Sequence, residues 1–158
     1  YKDKSDDFIA YMIDQVLPSV TKEGLATFAD VFCEKGVFSV EQSRSFLTAA
    51  KAHGLKLKIH ADEIVQLGGA ELAAELGATS ADHLLAASQE GIRAMAEAGV
   101  VTTLLPVTAF SLGEPFADAR RMIQEGCAVA LATDFNPGSC PTHSIPLVIA
   151  FWRLASRP

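Results

Sequence analysis

Lys56-Leu57-Lys58-Ile59-His60-Ala61-Asp62-Glu63 and Ala128-Val129-Ala130-Leu131-Ala132-Thr133-Asp134-Phe135-Asn136-Pro137-Gly138-Ser139 are the stretches whose reading decides the fold. In each, a short strand-like run ends on ionisable side chains and passes into a polar loop. His60 and Asp134 therefore stand at the C-terminal ends of two strands. When successive strands are parallel, such ends converge on one rim. Imidazole and carboxylate are also the ligand types that a hydrolytic zinc or iron ion uses.

Outward from these stretches the chain alternates strand and helix. Phe8, Ile9, Met12, Ile13 and Val16 form one stripe, which predicts a helix over 6–16 with Pro18 just beyond its end. Residues 26–32 read as a strand, and Gly36 breaks the run. Ser39-Val40-Glu41-Gln42 is a capping box, in which the Ser hydroxyl accepts from a free amide and Gln reaches back to the cap. The helix it opens reaches about His53, and Gly54 suits a left-handed stop. A strand over 55–60 and a helix over 69–76, ended by Gly77, come next. A strand over 80–84 carries His83, and Ser88 caps a helix that runs to Ala98 and stops at Gly99. Residues 100–105 read as a strand with Pro106 at its exit. Pro115 opens a helix reaching Glu125, with Gly126 after it. The fifth strand is 127–132, and 145–155 form a last helix.

Five strands separated by helices require parallel neighbours and crossover connections. Such units build either a small doubly wound sheet or part of a (β/α)8 barrel. A complete barrel takes about 250 residues, and this chain has 158. An open sheet gathers its ligand at one switch point, whereas here Glu34, His60, His83 and Asp134 mark four strand ends. The expectation is an α/β fold: a (β/α)8 barrel of which the chain covers about strands four to eight, with residues 1–158 as a single partial domain.

Composition limits the alternatives. Hydrophobic residues make up 49% and charged residues 20%, with a net charge of -6. Lys and Arg are scattered, so nothing makes the basic stripe that binds nucleic acid or anionic lipid. No apolar run approaches the roughly 20 residues of a membrane span. The start, Tyr1-Lys2-Asp3-Lys4, has no signal-peptide apolar region. Cys33, Cys127 and Cys140 form neither a disulfide framework nor a metal knuckle, which points to a reducing cytoplasm. There is no GxGxxG, no phosphate loop and no GxSxG elbow, which disfavours nucleotide and serine-hydrolase chemistry.

The candidate site residues each have a bland alternative. His60 reads as a metal ligand or as a cap for strand-end backbone groups. Glu63, following it in the loop, reads as a substrate or proton-moving carboxylate, or as a helix-start charge. His83 orients or protonates an oxygen, or is a hydrogen-bonded rim residue. Asp134 is costly at the end of a buried strand unless paired or metal-bound; its competitor is an Asx turn into the following Asn-Pro-Gly. Asn136, Gly138 and Ser139 in the same loop supply an amide, a close backbone approach and a hydroxyl, suited to a polar or carboxylate substrate. Glu34 reads as support behind the ligands. His53 reads as structural and Phe151 and Trp152 as packing residues, while His143 is a weak candidate for lining the mouth.

Asp30-Val31-Phe32-Cys33-Glu34, Lys58-Ile59-His60-Ala61-Asp62-Glu63, Ser80-Ala81-Asp82-His83-Leu84 and Ala132-Thr133-Asp134-Phe135-Asn136-Pro137-Gly138-Ser139 resemble, in this order, motifs of the imidazolonepropionase family of metal-dependent amidohydrolases. The resemblance implies one zinc or iron ion and hydrolytic opening of 4-imidazolone-5-propanoate to N-formimidoyl-L-glutamate in histidine degradation. His60 and Asp134 match the metal-binding His and Asp of the fifth and eighth strands. Glu63, His83 and Asp134 match residues that act in the chemistry, and Glu63, Asn136, Gly138 and Ser139 match substrate contacts. A cytoplasmic homodimer is implied for the full-length enzyme. The family's His-x-His pair, its Arg and Tyr substrate contacts and its third-strand His have no counterpart here. Two protein ligands are fewer than the three of a typical catalytic zinc site. The reading is therefore of the C-terminal portion of the barrel, expected to be inactive by itself. Two other readings compete: an aminohydrolase acting on another cyclic amide or a nucleobase, and a non-catalytic α/β module that binds a small anion.

Overall fold

A computed structural model of the chain describes residues 4–155; Tyr1 to Asp3 and Ser156 to Pro158 lie outside the described residues. The five strands are β1 (Phe28–Cys33), β2 (Lys56–Ala61), β3 (Ser80–His83), β4 (Val101–Leu104) and β5 (Val129–Leu131). They form one sheet in the order β1-β2-β3-β4-β5, and every pairing is parallel. Each crossover thus moves one strand onward in the same sense, with no reversal of strand order. A doubly wound sheet has such a reversal at its switch point; a barrel does not. The sequential order selects a segment of a (β/α)8 barrel.

Between the strands lie α3 (Val40–Ala52), α4 (Gly69–Leu76), α5 (Gln89–Ala98), and the pair α6 (Pro106–Leu112) and α7 (Ala119–Gln124); α8 (Ile145–Ala155) follows β5. The core is built where these helices cover the sheet, around Leu47, Ile59, Leu72, Met95, Val100 and Met122, all buried. Burying side chains of this size stabilises by about 1.5–3 kcal/mol each. The period of two on β1 and β2 divides the faces: Ala29, Val31 and Cys33, with Leu57, Ile59 and Ala61, lie beneath the helices. Asp30 and Phe32, with Lys58 and His60, alternate with them and face the interior of the would-be barrel. Among the described residues, no helix is long and apolar enough to cross a membrane.

Capping follows the sequence closely. The Ser39 hydroxyl accepts from the Gln42 amide at 3.2 Å, and the Gln42 side chain accepts from the Ser39 amide at 3.0 Å. Ser88 caps α5 through the Gly91 amide. Gly77 and Gly99 end their helices in the left-handed region. Gly69 has a different duty: a Cβ there would lie 2.7 Å from the Ala61 Cβ. Only glycine lets α4 start directly against the exit of β2.

Three expectations need correction. The first helix does not end before Pro18. It runs as α1 (Ser5–Tyr11), a π-helical turn over Met12–Val16 and α2 (Leu17–Lys22). The Leu17 amide bonds five residues back, to Met12. The wider turn places Pro18 in the first turn of α2, where its missing N–H costs nothing. Second, Pro106 is not merely a strand exit. It opens α6, which Gly113 terminates, and the helix expected from Pro115 begins only at Ala119, behind an Asp118 cap. Third, β5 spans three residues, and all three are only half-buried. The sheet ends there, so one edge of this apolar strand has no neighbour among the described residues. Asp134 therefore does not leave a deeply buried strand. The other helices and strands fall within two residues of their expected places.

Candidate active site

The strand exits hold the unusual backbone of this chain. Among the described residues, the non-glycine residues with positive φ are Asp62 (φ 49), His83 (φ 75), Leu84 (φ 62) and Asp134 (φ 55). All follow or end β2, β3 or β5. Such conformations persist where the surroundings over-determine them and concentrate at functional sites.

At the end of β2, Asp62 is fully buried. Its Oδ1 accepts from the amides of Leu67, Gly68 and Gly69 at 2.8, 3.0 and 3.2 Å, and Oδ2 from Ala70 at 2.8 Å. A carboxylate is thus held by the free amides at the start of α4, where the helix dipole favours it. Glu34, also buried, leaves β1 and accepts from the Ile64 amide at 2.9 Å and the Lys35 amide at 2.7 Å. It ties the exit of β1 to the loop that carries Glu63, the supporting part read from the sequence.

These braces present three side chains together. The rings of His60 and His83 are 5.3 Å apart. His83 Nδ1 lies 3.4 Å from Glu63 Oε1. The charge of Asp134, beyond the exit of β5, contributes to raising the pKa of Glu63, His83 and His60. Thr108, buried on α6, donates from Oγ1 to Asp134 Oδ2 at 2.9 Å.

Their environments push the groups apart. The hydrogen bond to Asp30 raises the pKa of His60, with burial opposing it. Burial first, and His60 second, lower His83 to about 4, with the Asp134 charge opposing them. Its separation of 3.4 Å from the Glu63 carboxyl is too long for a strong hydrogen bond, so His83 is neutral near pH 7. Burial, followed by the Asp134 charge, raises Glu63 above the ordinary carboxylate value. Neighbouring titratable groups with divergent pKa values are a recurrent mark of acid–base sites.

The loop after β5 is closed by its own side chain. Asn136 Oδ1 accepts from the amides of Gly138 and Ser139 at 2.8 and 2.7 Å. Its Nδ2 donates to the Asp134 carbonyl at 2.7 Å and to Ser139 Oγ at 2.9 Å. The turn here is made by the Asn136 side chain and not by Asp134, whose Oδ2 accepts from Thr108 instead. Asn136 shapes the loop, while Gly138 is exposed at its tip and Ser139 is half-buried. His143 meets the Phe135 ring edge-on, Phe151 packs tilted against Phe110, and His53 ends α3 in solvent.

Sequence reasoning missed Asp62, Asp82 and Thr108. Asp62 had a signal, an acid at a strand exit ahead of Gly68-Gly69 at a helix start. Asp82 sits two residues after Ser80, on the same interior face as Lys58. Thr108 had none, since 26 positions separate it from Asp134.

Comparison with solved structures bears on the fold. The chain is similar to a Xaa-Pro dipeptidase with bound methionine (TM-score 0.66, 17% identity, covering 94% of this chain and 43% of that one). It is also similar to an adenosine deaminase from Xanthomonas campestris with bound zinc (TM-score 0.62, 14% identity, 83% and 32% covered). A guanine deaminase from C. acetobutylicum with bound guanine is another (TM-score 0.61, 19% identity, 77% and 32% covered). The shared fold agrees with the segment of a (β/α)8 barrel that the strand order defines.

No family model matches the chain. By sequence it resembles imidazolonepropionase along nearly its whole length. It is 66% identical over 150 residues to that of Clostridium tetani (strain Massachusetts / E88) and 66% identical over 150 residues to that of Bacteroides thetaiotaomicron. It is 62% identical over 149 residues to that of Desulfotalea psychrophila. These alignments cover 94–95% of this chain, which spans 36% of the length of each relative, consistent with a C-terminal portion.

Proposed function

We propose that the protein carrying these residues hydrolyses 4-imidazolone-5-propanoate to N-formimidoyl-L-glutamate, and that residues 1–158 form a single partial barrel domain of it. The supporting observation is 66% identity over 95% of this chain to an imidazolonepropionase. The reading includes a small-molecule substrate, one metal ion and a cytoplasmic setting; the three buried free thiols accord with a reducing compartment.

The donor set suits a zinc or iron ion. His60 offers an imidazole already hydrogen-bonded at Nδ1 by a carboxylate, and Asp134 a carboxylate braced by Thr108. These are nitrogen and oxygen ligands of the type such ions take. Further ligands would come from outside this segment. A bound ion would supply Lewis acidity toward water and the ring carbonyl.

The chain's own residues account for the rest. In the overall reaction a water oxygen joins the carbonyl carbon, the ring C–N bond breaks and the ring nitrogen gains a proton. Neutral His83 serves as a hydrogen-bond partner for the oxygen on which charge develops, and it does so without adding a cation to the site. Glu63, whose pKa is raised by burial and by Asp134, is suited to hold a proton and deliver it to the departing nitrogen. Asp134 has a carboxylate oxygen besides the one that Thr108 holds, and it can take a proton from water. Gly138 and Ser139, on the loop shaped by Asn136, would meet the polar part of the substrate.

The test uses the intact, metal-loaded protein and follows loss of the imidazolone ring and appearance of formimidoylglutamate. Turnover in wild type, with a 100-fold or greater loss in His83→Gln, is expected, within the range of about 10²–10⁴ for acid–base groups. A metal-loaded wild type that leaves the imidazolone intact rejects the reading. Release of ammonia from a nucleobase by the same protein would put the aminohydrolase reading in its place.

A further inference from the structure

We propose that Asp30 is a positioning residue for metal binding, one that holds His60 with its proton on Nδ1 so that Nε2 carries the lone pair; this rests on the metal-ligand reading of His60 above. Asp30 and His60 lie on adjacent strands. Asp30 pairs in register with Lys58 and Phe32 with His60, so Asp30 reaches His60 diagonally on the interior face. Its Oδ1 is 3.1 Å from His60 Nδ1. An ionised carboxylate only accepts hydrogen bonds, so the nitrogen facing it must bear the proton. That leaves Nε2 as the ligand atom. The ring is also confined on other sides, by the Phe32 ring edge-on at 6.0 Å and the His83 ring at 5.3 Å. A ring flip would forfeit the Asp30 contact.

The same cluster could be taken for a metal site in its own right, because ligand atoms of Asp30, His60 and Asp82 lie within 4.8 Å of one another. Its positive charge is already supplied. The Lys58 ammonium is 3.0 Å from Asp82 Oδ2 and 3.4 Å from Oδ1, and it also donates to Ser80 Oγ at 2.6 Å. Ser80 in turn donates to Asp82 Oδ1 at 3.0 Å. An ion bound there would have to displace this ammonium, and the His60 nitrogen facing Asp30 has no lone pair to give. The Lys58–Ser80–Asp82 chain and the Asp30–His60 pair are better described as a polar floor beneath the rim. A (β/α)8 interior is ordinarily filled by branched apolar residues, and this departure coincides with the strand that carries the metal ligand.

The experiment compares wild type, Asp30→Asn and Asp30→Ala in the intact protein that contains these residues. The first readout is zinc affinity, by competition with a chromophoric chelator. Asp30→Ala is expected to bind zinc 10- to 100-fold more weakly, the range seen when such outer partners are removed. Asp30→Asn is expected to lose less, because its carbonyl oxygen still accepts from Nδ1–H. The second readout is the His60 tautomer in the metal-free protein at alkaline pH, from long-range ¹H–¹⁵N correlations. Wild type should show Nδ1 protonated and Nε2 bare, and Asp30→Ala should shift toward Nε2–H, a change that mere packing damage does not produce. Wild-type zinc affinity in Asp30→Ala, or a proton on Nε2 of wild-type His60, overturns the proposal. A wild type with the expected tautomer that binds no zinc instead removes the ligand reading of His60 and leaves the hold of Asp30 on the ring standing.

Discussion

The exits of β2 and β5 carry the two proposed metal ligands and are built in opposite ways. At β2 the support comes from elsewhere in the fold. Asp62 is buried under four amides of the next helix start, Glu34 reaches across from β1, and Gly69 lets α4 press on the strand. At β5 the strand is short and half-buried, and the loop is closed largely by Asn136, a side chain of its own. The long-range tie there is the bond from Thr108 to Asp134. The first exit is fixed by the global fold; the second is a local motif on an open edge. The difference follows from position, since β2 has neighbours on both sides and β5 has one among the described residues.

If that contrast is right, the largest stability loss should come from Asp62→Ala. It strips acceptors from four amides, two of them in buried contacts, and removes a charge that the helix start favours. Each orphaned buried amide costs about 1–3 kcal/mol when nothing replaces its partner. Relaxation and some water entry keep the total near 3–5 kcal/mol, the upper end for single substitutions. Denaturant unfolding should show a lower midpoint at unchanged slope. Asp62→Asn, which keeps one oxygen, should fall between. A loss below about 1 kcal/mol for Asp62→Ala would mean that the β2 exit is no more deeply anchored than the β5 loop.

Next in size is an acid effect from the β2–β3 side in the metal-free protein. His83 has a folded pKa of about 4 against an ordinary 6.5. Between those values the unfolded chain binds a proton that the folded one does not, so stability falls as pH drops from 6.5 toward 4. The ceiling on this loss is about 3 kcal/mol. His60 works in the opposite sense: its raised pKa contributes stability that is fully present below 6.5 and is lost as pH rises through the folded value. Stability measured against pH should therefore show an acid limb that flattens in His83→Gln. An acid limb unchanged by that substitution would place its origin elsewhere.

What was legible in the sequence divides along the same line. Elements whose signals are local were read correctly: the Ser39 and Ser88 caps, the Gly77 and Gly99 stops, and the strand ends at His60 and His83. The misreadings arose where one residue has two compatible roles. Pro106 can leave a strand and open a helix at once, and Pro18 can end a helix or be absorbed by a π turn. At the site, the side chains proposed to do chemistry stand out in the sequence as ionisable residues at strand exits. The residues that hold them were mostly not. Thr108 reaches Asp134, and Asp30 reaches His60, only because the crossovers bring distant segments into register. The half-buried state of β5 was invisible for a related reason, because an apolar strand reads alike at the centre and at the edge of a sheet.

Asn136→Ala gives the smallest effect and the sharpest test of the contrast. The substitution removes the acceptor of the Gly138 and Ser139 amides and the donor to the Asp134 carbonyl. These groups belong to a loop with Phe135, Pro137 and Gly138 exposed, so water can take over the lost bonds. A loss of about 1 kcal/mol in global stability is expected, the net worth of an ordinary hydrogen bond rather than of a buried orphan. The functional cost should be larger than the stability cost, because the side chain sets where Ser139 and the Asp134 backbone sit. On the proposed activity, the intact protein should show a raised KM for the imidazolone together with a lowered kcat, and a hydrogen-exchange change confined to the loop. A stability loss matching that of Asp62→Ala would show instead that the β5 exit is welded to the global fold. The open edge of the sheet would then have to be supported by contacts beyond the loop itself.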